Sequence, residues 1–513
     1  MIDTAALLAA LPSRIDAIPR AAAARVPEAP ALVEDGHTIG YGALVAMIDR
    51  LAALLRARGV RPGDRVLLAS ENCAAQVALV FAAASLDAWI VNVNARLTAP
   101  ELDGIRAHCG ARLALYTAAV SPEAAAHALR DGAVDCGDGL MIGPRNEACA
   151  PEPPGPEPVA ALVYTTGTTG QPKGVMLSHR SLLFVAAVSS RLRGLAPGDL
   201  AWGVLPFSHV YGLTSVLLGT LYAGACLRLA PRFAPEEMLA ALRGDGGAAL
   251  TIVQGVPAMY ARLLALAGAQ AAPMGARLRF AYAGGSPLDP ALKARVEDLL
   301  GVALHNGYGL TEAAPTVSQT RLDAPRADTS VGLPIPGVEV RLVDRQGVDL
   351  APDDVDGAGE LWVRGPNLMR GYYHEPALTA AALRPDGWLN TGDMARRGAD
   401  GALFIVGRTK ELIIRSGFNV FPLEVETALN AHPGVSQSAV VGRAAADGNE
   451  EVVAFVQAAP GHAPTPDELG AWAGGRLAPY KRPARIVLVE ALPAAPSGKV
   501  LKHVLARRAV ELA

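Results

Sequence analysis

The stretch "YTTGTTGQPKG", residues 164–174, concentrates four threonines, three glycines and one lysine. Hydroxyls, unhindered backbone N–H groups and an ammonium all donate to anionic oxygen, so this is the composition of a phosphate-binding loop. The strand-like run "VAALVY" (159–164) leads into it, and the helix-like run "SLLFVAAVSSRL" (181–192) follows. Strand, glycine loop and helix form a general anion-binding arrangement in which the helix dipole adds to the backbone donors. The fixed nest of nucleoside triphosphatases is excluded on residues. It needs GxxxxGK[ST], with a hydroxyl directly after the lysine, whereas Lys173 lies between Pro172 and Gly174. The loop is expected to cover phosphates flexibly.

A large scaffold has to carry these donors. At 513 residues the chain exceeds one ordinary core, so two or more domains are expected. Apolar residues make up 51% and charged residues 19%, which fits a packed globular protein and argues against disorder. A net charge of −3 gives no basic footprint, so no nucleic-acid partner is expected. The five cysteines (Cys73, Cys109, Cys136, Cys149, Cys226) show no CxxC spacing, which suits reduced thiols and neither a disulfide frame nor a zinc site. The start "MIDTAALLAALPSR" has an acid at position 3 and no cationic lead, so no signal peptide is expected. The longest apolar run, "VALVFAAASLDAWIVNV", is broken by Asp87 before it reaches the roughly 18 residues a membrane span needs. The expectation is a soluble, cytoplasmic protein; a homodimer is left open.

Along the first 150 residues helix and strand patterns alternate. "YGALVAMIDRLAALLRARG" has helical spacing and stops at Gly59, "DRVLLAS" is strand-like, "AAQVALVFAAASLDA" helical and "WIVNVN" strand-like. Such alternation predicts α/β architecture with a parallel, helix-covered sheet. "CAPEPPGPEP" (149–158) is a proline-rich connector. After about residue 330 shorter β-like pieces ("VEVRLVD", "GELWVRG", "GALFIVGR") predict a β-rich subdomain. The last hundred residues read as a small α+β unit. "SQSAVVGR" and "EEVVAFVQA" are strand-like, and "TPDELGAWAGGRL" opens with Thr465, Pro466 and Glu468 as a capping box. A hinge is expected in "GRTKELII". No internal repeat is present.

"YTTGTTGQPKG" resembles the signature of the adenylate-forming superfamily, which includes acyl-CoA synthetases, firefly luciferase and non-ribosomal peptide adenylation domains. Thr166 stands where serine is usual. The resemblance extends in family order from "TIGYGALVAMIDRLAALLRARGVRPGDRV" to "PSGKVLK". It implies a large N-terminal adenylation domain, 1–408, and a small mobile C-terminal domain, 409–513, hinged near Lys410. It also implies ATP, Mg²⁺ and CoA as co-substrates and cofactors. A carboxylic acid attacks the α-phosphate to give acyl-AMP and pyrophosphate, and a thiol then displaces AMP. Both steps concentrate negative charge and need a metal ion, lysine and backbone donors.

The resemblance also assigns roles. Thr165, Thr166, Gly167, Thr168, Thr169, Gly170 and Lys173 belong to the phosphate loop. In "HNGYGLTEAAP" (305–315), Tyr308 stacks on adenine, Thr311 touches the α-phosphate and Glu312 holds Mg²⁺, a hard cation that prefers carboxylate oxygen. The Thr165 hydroxyl is assigned to the same metal. The paired glycines Gly284 and Gly285 in "AYAGGSPL" permit close approach to adenine and acyl group. Asp393 of "GWLNTGD" and Arg408 of "FIVGRTKEL" bind the ribose, and Lys499 of "PSGKVLK" bridges carboxylate and α-phosphate as the catalytic lysine. In the thiol step Gly417 of "RSGFNVFPLEVE" lines the tunnel, and Tyr480 and Arg482 of "YKRP" contact the CoA nucleotide. "DGNEE" (447–451) replaces the "WGE" often found there, leaving carrier recognition open.

In "PFSHVYGL" (206–213) Ser208 and His209 stand where amino-acid-activating relatives usually place Asp, so no partner for an amine is evident. His209 resembles the gating residue beside the carboxylate. "VYGL", "GVPAMY", "YAGGS" and "AAPTV" make an apolar acyl pocket with no basic residue in those stretches. That favours an apolar monocarboxylic acid, fatty or aryl, over a diacid whose second carboxylate would need a partner. The leading expectation is an AMP-forming acyl-CoA synthetase. The alternatives are loading of a carrier-protein pantetheine and a non-catalytic acyl- or nucleotide-binding protein, which the presence of Glu312, Asp393 and Lys499 disfavours. Nothing specific suggests luciferase-like oxidation.

Overall fold

Alanine-rich helices without exposed faces dictate the layering. In the helix Ala74–Ser85 every residue from Ala74 to Ala84 is buried, and in His179–Leu192 every residue from Ser181 to Ser190 is. Helices apolar all round have to lie inside. Both belong to one hydrophobic cluster that also takes residues from two large sheets. The computed structural model describes residues 2–153, 155–166, 172–268, 274–344, 346–351, 354, 357–415, 418–445, 449–494 and 500–512.

In the first sheet, eight-stranded among the described residues, Arg65–Ser70 lies parallel to Trp89–Asn94 and to Leu113–Tyr116. All six residues of Arg65–Ser70 are buried, as a parallel strand covered on both faces requires. Val159–Thr166 extends this sheet in parallel, followed by Pro172–Ser178 and the two-residue edge strand Gly371–Tyr372, both antiparallel. The second sheet has nine strands, with Leu200–Gly203, Cys226–Leu229, Ile252–Gly255, Phe280–Ala283 and Leu304–Gly309 in parallel. Thr316–Gln319 turns back against Leu304–Gly309. An antiparallel four-stranded sheet (Glu339–Val343, Ala358–Arg364, Leu389–Arg397, Leu403–Arg408) supplies the β-rich part.

The C-terminal part is built on Val435–Ala444, Glu450–Ala458 and Arg485–Val489, with the helices Pro422–Asn430, Pro466–Gly474 and Lys502–Glu511. Thr465 and Glu468 form the expected capping box. Its hydrophobic clusters begin at Ile413, and those of the larger part end at Ile405. The fold is therefore α/β, with a large N-terminal and a small C-terminal domain. No helix among the described residues is long and apolar enough to cross a membrane. The five cysteines are free, and four of them are buried.

Two buried histidines make stability pH-dependent. Burial, aided by Arg14, lowers the His179 pKa to about 4, and burial with Lys293 and Arg193 lowers His305 to about 4. Between 6.5 and 4 the unfolded chain binds protons that the fold does not, so stability falls as pH falls through this window. The thermal midpoint should drop across that range, and His179→Asn should make the drop shallower; scanning calorimetry at stepped pH checks this.

Candidate functional site

The threonine–glycine loop joins two antiparallel strands, Val159–Thr166 and Pro172–Ser178, with Thr165 opposite Lys173. The expected strand–loop–helix order is thereby corrected. The helix His179–Leu192 starts only after a second strand, so its dipole does not stand behind the loop. Lys173 instead rides on a strand, half-buried, where pairing to its neighbours fixes its stem. Gly167, Thr168, Thr169 and Gly170 lie outside the described residues, as does the side chain of Thr166.

The edge strand Gly371–Tyr372 straps this hairpin to the carboxylate. Its register sets Tyr372 opposite Val175, and the Arg370 and Tyr373 N–H groups donate to the carbonyls of Met176 and Gly174 at 2.8 Å each. The Met369 N–H donates to the Glu312 carbonyl at 2.9 Å, and the Tyr372 hydroxyl donates to Glu312 Oε1 at 2.8 Å. The Lys173 Nζ lies 5.3 Å from the centre of the same tyrosine ring, close enough for a cation–π attraction. Burial, reinforced by the Glu312 charge, pushes the Tyr372 phenol well above its ordinary range, so it stays a donor. Sequence reading did not single out Tyr372. Its only signal is the glycine–tyrosine pair in "GYYHEP", too short to register as a strand.

Glu312 itself sits in a short turn, Thr311–Ala313, between Leu304–Gly309 and Thr316–Gln319. The turn closes through Leu310 N–H to the Pro315 carbonyl at 3.0 Å. A Cβ at Gly309 would stand 2.4 Å from that carbonyl oxygen, so only glycine fits. Thr311 is buried beside it.

Leu304–Gly309 also delivers Tyr308, whose hydroxyl donates to Asp393 Oδ2 at 2.5 Å. Asp393 and Arg408 are cross-strand partners, with Arg408 Nε 3.1 Å from Asp393 Oδ1. Burial and the Asp393 charge raise the Tyr308 pKa well above 10, which keeps the proton on the phenol. Three residues distant in sequence thus meet, with the Glu312 charge also acting on Arg408. Gly284 lies against the Tyr211 ring, which a Cβ would approach to 3.1 Å, and its N–H donates to the Gly255 carbonyl at 3.2 Å; Gly285 has φ +80°. His209 is exposed, and its Nδ1 accepts the Tyr211 N–H at 3.2 Å.

In the C-terminal domain Tyr480 stacks on Phe418 with ring centres 4.5 Å apart. Arg482 is exposed, its Nε donating to the Leu477 carbonyl at 3.0 Å and its own carbonyl accepting from Arg415 at 2.7 Å. Lys410 is exposed in the turn Thr409–Glu411. Gly417 and Lys499 lie outside the described residues.

Among the described residues no group of three or more His, Cys, Asp or Glu could hold a metal ion. Glu312, with Oε1 bonded to Tyr372 and the residue only half-buried, offers a single carboxylate. That donor set fits Mg²⁺, which takes one or two carboxylates and completes its shell with substrate phosphate and water. Thr165, half-buried opposite Lys173, fits as a neutral oxygen donor nearby.

Loss of the Asp393 carboxylate should strip the Tyr308 and Arg408 contacts together. Asp393→Ala is expected to weaken AMP binding about 10- to 100-fold, the worth of one to two charged hydrogen bonds. Titration calorimetry with AMP measures this, and an unchanged affinity would remove Asp393 from the nucleotide site.

The sequence model of the AMP-binding enzyme family matches residues 19–373, and that of the AMP-binding enzyme C-terminal domain matches residues 424–499. A feruloyl-CoA synthase from Amycolatopsis sp is 37% identical, covering 94% of this chain and 96% of the relative. Among solved structures, ATP-bound MatB from Rhodopseudomonas palustris superposes with a TM-score of 0.86 at 29% identity, covering 97% of this chain and 99% of that one. The o-succinylbenzoate CoA synthetase of Bacillus subtilis, in complex with its acyl-adenylate intermediate, superposes with a TM-score of 0.80 at 27% identity, covering 95% and 97%. The chain belongs to the AMP-binding enzyme family and is an AMP-forming acid–CoA ligase that uses ATP.

Proposed function

We propose that the acid activated by this ligase is an apolar or aryl monocarboxylic acid, and that the residues assembled above divide the two half-reactions between them. The observation that carries the site assignment is Tyr372, which holds the Glu312 carboxylate and underlies the Lys173 ammonium. A cation for phosphate and a carboxylate for Mg²⁺ are thereby fixed to one aromatic side chain.

In the first half-reaction a carboxylate oxygen of the acid attacks the α-phosphorus of ATP, and the bond to the β-phosphate oxygen breaks, releasing pyrophosphate. Lys173 and the threonine loop bind the departing phosphates. Thr311 touches the α-phosphate, and Glu312 with Thr165 holds Mg²⁺, which neutralises phosphate charge when bound. Tyr308 stacks on adenine, Asp393 and Arg408 hold the ribose, and Gly284 and Gly285 let the acyl-adenylate lie close to the backbone. His209 stands at the carboxyl end of the acid. Lys499 bridges the acid and the α-phosphate as a point charge on a flexible stem.

In the second half-reaction the CoA sulfur, having lost its proton, attacks the acyl carbon and AMP leaves. Residues 409–513 turn about Lys410 to remove Lys499 and bring Gly417, Tyr480 and Arg482 to the thiol. The gap between the hydrophobic clusters at Ile405 and Ile413 supports a pivot there. An aryl acid is favoured by the likeness to a feruloyl-CoA synthase. Free cysteines across the chain favour a cytoplasmic location.

Lys499→Ala should reduce acid-dependent ATP–pyrophosphate exchange by about 10²–10³-fold, the usual cost of one preorganised charge, while sparing thioester formation from supplied acyl-AMP. Equal loss of both half-reactions contradicts the role. Lys410→Pro should slow the CoA step and leave exchange intact; unchanged overall turnover places the pivot elsewhere.

A further inference from the structure

Behind the acyl loop lies a buried cation that no described carboxylate neutralises. Arg193 is 3% exposed at the end of the helix His179–Leu192. Its Nη1 donates to Gln254 Oε1 at 2.5 Å, its Nη2 to Gln319 Oε1 at 3.0 Å, and its guanidinium carbon lies 4.4 Å from the centre of the Tyr282 ring. Every one of these partners is neutral. A buried charge without a counter-charge is costly and is retained where something else meets it.

The same region collects unused donors. Arg193 Nε, Gln319 Nε2, Thr214 Oγ1 and Ser215 Oγ are buried and have no hydrogen-bond partner among the described residues. Thr214 and Ser215 stand on a fully buried π-helix, Tyr211–Leu218, a form concentrated at functional sites. Three and four residues after Tyr211, they share its face. Tyr211 touches Gly284 on the acyl loop, and Gln254 directly precedes Gly255, whose carbonyl accepts the Gly284 N–H. Gln254 is also register partner to Tyr282, and its Nε2 donates to the Ser215 carbonyl at 3.4 Å. The cluster is therefore one residue removed from the acyl loop.

All four unused atoms can donate, and the net charge is positive, so the group they suit is an acceptor. We propose that Arg193, Gln319, Thr214 and Ser215 form the far end of the acyl site and receive an acceptor oxygen on the substrate, remote from its reacting carboxyl. Such an oxygen is phenolic or ether oxygen on an aromatic ring, or a second carboxylate. The inference rests on the adenylation reading and narrows it: the pocket is apolar along its length and polar at its end.

Acid-dependent ATP–pyrophosphate exchange with 3-phenylpropenoic acid and its 4-hydroxy, 4-methoxy and 4-carboxy derivatives tests it. At least one oxygen-bearing acid should exceed the unsubstituted acid in kcat/KM by about 10- to 100-fold, as expected where a built donor would otherwise stay unpaired. Preference for the hydroxy or methoxy acid identifies a neutral oxygen, and preference for the carboxy acid a second anion. Arg193→Met and Ser215→Ala should each shrink the ratio by about threefold or more. If Arg193→Met fails to fold, Ser215→Ala and Gln319→Leu decide the matter. Exchange with the unsubstituted acid at an equal or higher kcat/KM, or a ratio untouched in the variants, overturns the proposal and leaves the ligase reading standing. Exchange with none of these acids or with a C2 to C16 alkanoic series sinks the adenylation reading, and this proposal with it.

Discussion

One tyrosine hydroxyl fixes the relation between the two halves of the phosphate site. Tyr372 reaches Glu312 from an edge strand paired to the strand of Lys173, so one hydrogen bond and one register join segments almost two hundred residues apart. Neither charge could be placed by its own element. Glu312 occupies a turn of three residues, and Lys173 carries a stem with four rotatable bonds. Backbone pairing supplies the rigidity that these side chains lack. A catalytic site gains most when its charged groups are held before the reacting charge develops.

The nucleotide end follows the same logic with different parts. Tyr308 arrives on the last parallel strand of one sheet, and Asp393 and Arg408 on adjacent strands of another. A phenol held protonated by its surroundings keeps one carboxylate oxygen oriented while the guanidinium orients the other. Gly309 makes this possible, because any side chain there would push the Glu312 turn away from the strand that carries Tyr308.

Much of this was legible in the residues. Trp89–Asn94 and Glu450–Ala458 match their sequence patterns residue for residue, because each is a short β-rich run between turn signals. Tyr308, Asp393 and Arg408 were legible as a set only through the motif resemblance, since nothing in their spacing brings them together. The second strand of the hairpin was missed because "PKGVMLS" opens with proline and glycine, which read as loop; its pairing comes from both neighbours, Val159–Thr166 and Gly371–Tyr372. Tyr372 was missed for the mirror reason, a two-residue strand having no periodicity. Arg193 was invisible because an arginine at a helix end reads as a solvated cap, and only packing against Gln254, Gln319 and Tyr282 shows that it is interior.

The interruption of apolar packing between Ile405 and Ile413 has a mechanical meaning. Across it the described hydrogen bond from Thr409 to Glu360 is side chain to side chain, exposed and 3.0 Å long. Breaking it returns both groups to water with little net loss. The tail can thus be reoriented at a cost comparable to thermal energy, since each body keeps its own oily interior sealed while the joint between them flexes.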